Sequence, residues 1–152
     1  MTTIHNFNSI SEVELIYTNT QPKNLRTQIV SSKSAAQTLR ETIGNKIELK
    51  EFFYVILLNN SADVLTISKL SEGGITGTYV DLRLLFATAL KAAATAIIIA
   101  HNHPSGKLEA SQTDKTLTNK VKKAGEILDI RLLDHIIITP ENHFSFADEG
   151  IL

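Results

Sequence analysis

The chain contains no cysteine. That excludes disulfides, cysteine-rich zinc fingers and thiol catalysis, and it suits a reducing cytoplasm. It also excludes the deaminase pattern H-x-E…P-C-x-x-C, which needs two cysteine ligands. An excess of charge of one sign is missing too: 15 Lys and Arg against 16 Asp and Glu leave a net charge of -1. No global field therefore favours nucleic acid or an acidic membrane surface. No apolar run approaches membrane-spanning length, and the N-terminus lacks the apolar centre of a signal peptide. Internal repeats, low-complexity tracts and linkers are absent. These absences predict a soluble, cytoplasmic protein with no membrane partner. Hydrophobic residues make up 43% of the 152 positions, enough for one globular domain with a real core.

The patterning alternates between the two regular periods. Residues 13–18 read as a strand followed by a polar connector, and Ser34 to Ile43 as a helix ended by Gly44. Phe52 to Leu58 is a strongly apolar strand, and Asn59 to Asp63 is a turn into a second strand, Val64 to Leu70. A helix capped by Asp81 places Leu82, Leu85, Phe86, Ala89, Leu90 and Ala93 on one face. Thr95 to Ala100 is an apolar, β-branched run that reads as a buried strand. A further helix carries Leu117, Val121, Ala124 and Leu128 on one side, and residues 130–139 and 143–146 form a closing hairpin. The expectation is an α/β fold: a single-domain mixed sheet flanked by helices in two or three layers.

Chemistry concentrates where that buried strand ends, in His101-Asn-His-Pro-Ser-Gly-Lys-Leu-Glu-Ala-Ser-Gln-Thr-Asp114. Side chains two apart on a strand share a face, so His101 and His103 can aim at one point. A carboxylate returning from Asp114 completes three ligands for a divalent ion and leaves one position open, the donor pattern of a catalytic zinc site. Ser111 and Asp114 also read as a capping box at a helix start. The two readings are compatible, because a cap holds Asp114 in the first turn, facing the strand end.

At these residues the chain resembles the JAMM (MPN-plus, JAB domain) metalloproteases, whose signature is H-x-H-P-x6-S-x2-D. The form His-Asn-His-Pro-Ser-Gly is that of the RadC-like branch. Glu51 to Asn59, Ser71 to Gly74, Leu133 to Ile138 and Ser145 to Leu152 resemble RadC-like segments as well. The likeness implies a JAMM/MPN (cytidine-deaminase-like) architecture over 32–152, with 1–31 as an N-terminal extension. It implies Zn2+ held by His101, His103 and Asp114. It further implies Glu51, rather than nearby Glu48, as the general base that passes a proton to the leaving amine. Ser111 is implied to stabilise an oxyanion or the metal-bound water, with a simple N-cap as its other reading.

The function so implied is zinc-dependent hydrolysis of a peptide or isopeptide bond in a peptide or protein substrate. The alternative is an accessory module of DNA repair or recombination without peptidase activity; a zinc nuclease would share the same ligands. Near-neutral charge and the lack of an aromatic-interleaved basic patch speak against nucleic acid. So does the lack of room for the helix-hairpin-helix region of longer RadC-like proteins. His135, flanked by apolar residues, reads first as a satisfied core histidine and second as a support for the site. Lys115, Lys120, Lys122 and Lys123 read as the solvated face of their helix. Gly73 to Gly77 makes turns, His5 and His143 carry no supporting spacing, and Asn102 and Pro104 shape the ligand loop.

Overall fold

The computed structural model describes residue 16 and residues 18–73 and 79–152. The strand expected over 13–18 falls almost wholly outside these, as do His5, Gly74 and Gly77. Five strands form one mixed sheet: β1 (Phe52–Leu58), β2 (Val64–Glu72), β3 (Ala96–Asn102), β4 (Arg131–Ile138) and β5 (His143–Ser145). Their spatial order is β2-β1-β3-β4-β5. Three helices, α1 (Ser32–Ile43), α2 (Leu82–Lys91) and α3 (Gln112–Ile127), stand among the described residues. Only β3 and β4 run parallel, joined by α3 as the crossover; the other neighbours are antiparallel.

The sheet is packed on both faces, so the three-layer form of the expected α/β architecture holds. α1 covers one face through Ala36, Leu39 and Ile43, against Ile56, Ile98, Ala100 and Ile136. α2 and α3 cover the other through Leu85, Phe86, Ala89 and Val121, against Phe53, Val55, Ile97 and Ile99. Successive strand residues alternate faces, and β3 is buried at every position. Its continuous apolar run is what a strand covered on both sides requires. β3 also extends past Ala100 to Asn102, which puts His101 within the strand on the α2/α3 side and Asn102 on the α1 side.

β4 carries an irregularity. Leu132 pairs with Ile97, but Asp134 pairs with Ile98. The extra residue, Leu133, shifts the rest of the strand by one position and so exchanges its faces. His135, opposite Ile99, therefore looks towards α3.

Helix ends follow local chemistry. α1 starts two residues before the periodicity predicts, because Ser31 and Ser34 form a reciprocal capping box. Gly44, at φ 62, ends it in a backbone region where a side chain is strained. Asp81 caps α2, accepting from the Arg83 amide at 2.9 Å. The expected apolar face of α2 holds through Ala89 and then stops. The helix ends at Lys91, Ala93 reverses the chain at φ 53, and Ala92 is buried in place of Leu90 and Ala93. Leu128, expected on the buried side of α3, is its half-exposed C-cap, and Thr118 and Gly125 take buried positions instead. Upstream of α1, Ile29 joins the core and its amide donates to the Ala62 carbonyl.

Gly125 lets the end of α3 turn tightly into β4. A Cβ there would stand 2.2 Å from the Ile130 carbonyl oxygen. The better helix propensity of alanine, about 1 kcal/mol, is outweighed by that overlap. Gly125→Ala should lower the unfolding free energy by about 1–3 kcal/mol, read from the urea midpoint; an unchanged midpoint would mean that the turn yields freely.

Candidate metal centre

β3 delivers His101 from inside the sheet. One residue beyond the strand, the His103 amide donates to the Ile138 carbonyl at 2.9 Å, so β4 still guides the chain at the second histidine. Pro104 follows, where no backbone donor is left to satisfy. The loop returns at α3, and its first turn brings Asp114 back to the strand end. One ligand atom each from His101, His103 and Asp114 lies within 4.8 Å of the others. His101 Nε2 is 2.9 Å from His103 Nε2 and 3.5 Å from Asp114 Oδ1.

The capping box and the carboxylate's approach to the histidines are one arrangement. Ser111 Oγ accepts from the Asp114 amide at 3.0 Å, while Asp114 Oδ2 accepts from the Ser111 amide at 2.8 Å and from the Ser111 hydroxyl at 2.6 Å. Oδ2 is thereby committed to the cap, and Oδ1 is the atom that faces His101. The single hydroxyl proton of Ser111 is spent on Asp114, so this geometry favours positioning over oxyanion stabilisation for Ser111.

The donor set itself tests whether a cation fits. His103 Nδ1 stands 2.6 Å from the Lys107 carbonyl, which can only accept, so that ring nitrogen carries the proton. In the neutral ring the His103 Nε2 lone pair then points at His101 Nε2. His101 Nδ1 is engaged elsewhere, 2.9 Å from His135 Nε2. With the His101 proton on Nδ1, two ring nitrogens and a carboxylate oxygen converge as lone pairs, and a cation among them would relieve their repulsion. The donor set fits a metal ion.

Glu51 immediately precedes β1. The β1–β3 ladder pairs Phe53 with His101 in antiparallel register, so Phe53 shares the face of His101 and the residue before β1 lies at the same end of the sheet as the residue after β3. Glu48 instead sits exposed in the turn before β1. Asn102, fully buried, clamps both neighbours of Glu51: its Oδ1 accepts from the Phe52 amide at 2.7 Å, and its Nδ2 donates to the carbonyls of Lys50 at 2.9 Å and Ile47 at 2.7 Å. The Glu51 carbonyl accepts from Gly73 at 2.9 Å. Asn102 thus does more than shape the ligand loop.

His135 is the residue that the sequence weighed too lightly. It is fully buried between Phe53 and Phe146, as a core histidine should be, yet it also contacts His101 directly. Burial pushes its pKa well below the ordinary value, and the neighbouring His101 and His103 add to this. Burial likewise lowers His101 to about 4, with the Asp114 carboxylate opposing and His103 reinforcing. Lys115, Lys120 and Lys123 are exposed as expected, whereas Lys122 donates to the Leu152 carbonyl at 3.2 Å. His143 lies against Ser32, away from the cluster.

These shifts fix a pH dependence. Unfolded imidazoles titrate near pH 6.5, and folded His101 and His135 only at lower pH. Between pH 6.5 and about 4 the unfolded chain binds protons that folded His101 refuses. The metal-free protein is therefore most stable above that window and loses stability as pH falls through it, on the order of 3 kcal/mol from His101 alone. Urea titrations at stepped pH should show this slope, and His101→Gln should flatten it; equal slopes would mean that His101 is charged in the fold.

A family model described as the RadC-like JAB domain matches residues 29–151. Among the most similar relatives is a "UPF0758 protein" of Flavobacterium johnsoniae, 51% identical over 124 residues, which are 82% of this chain and 53% of that protein. One from Porphyromonas gingivalis is 41% identical over 128 residues, 84% of this chain and 56% of its own length. One from Chlorobaculum parvum is 34% identical over 130 residues, 86% of this chain and 58% of its own. The chain spans a little over half the length of these relatives. No helix among the described residues is long and apolar enough to cross a membrane. The family match runs from the last buried residue ahead of α1 to the penultimate residue, covering the whole sheet and every side chain of the cluster, and the chain therefore belongs to the RadC-like JAB domain family.

Proposed function

We propose that this domain is a zinc-dependent hydrolase acting on a peptide or isopeptide bond. The observation that carries the reading is the convergence of His101, His103 and Asp114 on one point; Glu51, just before β1 at the same end of the sheet, is the carboxylate that the reading takes as base. Zinc suits the donors better than a harder ion. Two imidazoles and one carboxylate are its usual partners, and bonds of about 2.0–2.1 Å at tetrahedral angles need donors about 3.3 Å apart. The separations of 2.9 and 3.5 Å from His101 Nε2 bracket that spacing. Calcium would ask for six or more oxygens at longer range.

When bound, the ion would polarise a carbonyl oxygen and bring the pKa of a coordinated water to about 7. The chain supplies the rest. The Glu51 carboxylate takes a proton from the attacking water and returns it to the leaving nitrogen. Asn102 holds the backbone on either side of Glu51, through the Phe52 amide and the Lys50 carbonyl. Ser111 keeps Asp114 turned inward. A cleft of about 600 Å³ between the starts of α2 and α3, bordered by Arg83, Gln112 and Thr113, offers room for an extended peptide.

Metal content and turnover test this in sequence. The wild type should carry near-stoichiometric zinc by mass spectrometry, and Asp114→Ala should lose it. Glu51→Gln should keep both zinc and fold while peptide hydrolysis drops by at least a hundredfold, the usual scale for removal of a general base. Hydrolysis that survives in Glu51→Gln would remove Glu51 from the mechanism. A wild type that cannot be loaded with zinc would remove the metal.

A further inference from the structure

We infer that Thr118 and His135 form a hydrogen-bonded relay that locks His101 as its Nδ1–H tautomer and so turns the His101 Nε2 lone pair towards the metal. The inference rests on the reading of His101 as a ligand. It starts at a hydroxyl. Thr118 Oγ1 lies 2.7 Å from the Asp114 backbone carbonyl and 2.7 Å from His135 Nδ1. A hydroxyl has one proton and a carbonyl has none, so Thr118 donates to Asp114 and accepts from His135 Nδ1–H. The other nitrogen of neutral His135, Nε2, is then an acceptor, and the group 2.9 Å from it must be His101 Nδ1–H. That leaves the lone pair of His101 on Nε2, the atom facing His103 and Asp114.

The reverse direction fails at Thr118. With the His135 proton on Nε2, the Thr118 hydroxyl would face two acceptors, the Asp114 carbonyl and His135 Nδ1, with one proton. The His101 proton would then sit on Nε2, directed at His103 Nε2, and occupy the lone pair that a metal needs. Water cannot take over either link, since His135 and Thr118 are buried and Phe146 stacks on the imidazole at 4.6 Å between centroids.

The relay also closes on itself. Asp114 ends it through its backbone carbonyl and joins the cluster through its own carboxylate, so α3 reaches His101 of β3 twice, directly from Asp114 and through Thr118 and His135 of β4. Metal-bound histidines usually lean on a carboxylate, a carbonyl or water. A carboxylate here would set a second negative charge beside Asp114. A neutral imidazole orients His101 without that charge.

Thr118→Val removes the hydroxyl at nearly constant volume, and Thr118→Ser restores it. His135→Phe removes the acceptor, and His135→Gln returns one. Each full-length variant is first checked for its melting transition; if His135→Phe does not fold, the Thr118 pair carries the test. Long-range 1H–15N spectra of the metal-free protein read the tautomers directly. Wild-type His101 should be the Nδ1–H form, with the Nε2–H form growing in Thr118→Val and His135→Phe and receding in Thr118→Ser and His135→Gln. Zinc affinity, titrated against a chromogenic chelator, should fall ten- to hundredfold in the first two and recover in the others. An Nε2–H tautomer of His101 in the wild type overturns the relay alone. So does an unchanged zinc affinity in Thr118→Val. A wild type that takes up no zinc, whatever its tautomers, overturns the metal reading on which the relay rests.

Discussion

The site depends on a strand that is buried on both faces. β3 has no solvent side, so each of its residues must satisfy one of two interiors. At its last two positions this constraint produces polar side chains with opposite duties. His101 faces α3 and joins the ligand cluster, and Asn102 faces α1 and holds the backbone around Glu51. A ligand and the clamp on the candidate base are thus adjacent in sequence and separated by the sheet. A slip of one residue in the β1–β3 register would exchange the two faces and dismantle both functions together.

Polar groups at such depth are tolerable only when paired, because a buried donor or acceptor left alone costs about 1–3 kcal/mol. The pairing here extends well beyond the cluster. Asp134, on the opposite face of β4 from His135, accepts from the Ser145 hydroxyl at 2.5 Å and from the Ala147 amide at 3.0 Å. Those two partners flank Phe146, the ring that covers His135. Burial raises the Asp134 pKa while these hydrogen bonds pull it down. The C-terminal turn is therefore held by one buried carboxylate, and through Phe146 it seals the interior behind His101.

The sequence made the ligands and the sheet readable for physical reasons. The apolar run before His101, the two-residue spacing of the histidines and the Ser-x-x-Asp cap are local signals, and local signals survive in the linear chain. His135 was harder to read because its role depends on phase. Arg131–Ile138 is apolar at most positions and shows no alternation that assigns a face. Only the extra residue at Leu133, visible when β4 is paired with β3, turns His135 towards α3. The clamp by Asn102 spans 50 residues to Phe52, and no spacing rule reports it. The last turn of α2 misled for a related reason: Leu90, still within the helix, is half-exposed, and Ala93 comes after the helix has ended at Lys91.

Three elements supply the cluster and its neighbour, and each is held by a different kind of restraint. A strand ladder fixes the histidines, a helix cap fixes Asp114, and an amide clamp fixes the segment that bears Glu51. Each of these restraints is made by the chain's own groups, and donors so held lower the ordering cost that otherwise reduces affinity. The same burial has a stability cost at acid pH, since it lowers the pKa of two imidazoles, His101 and His135. A cation at the cluster would also offset the repulsion between lone pairs turned towards the Asp114 carboxylate.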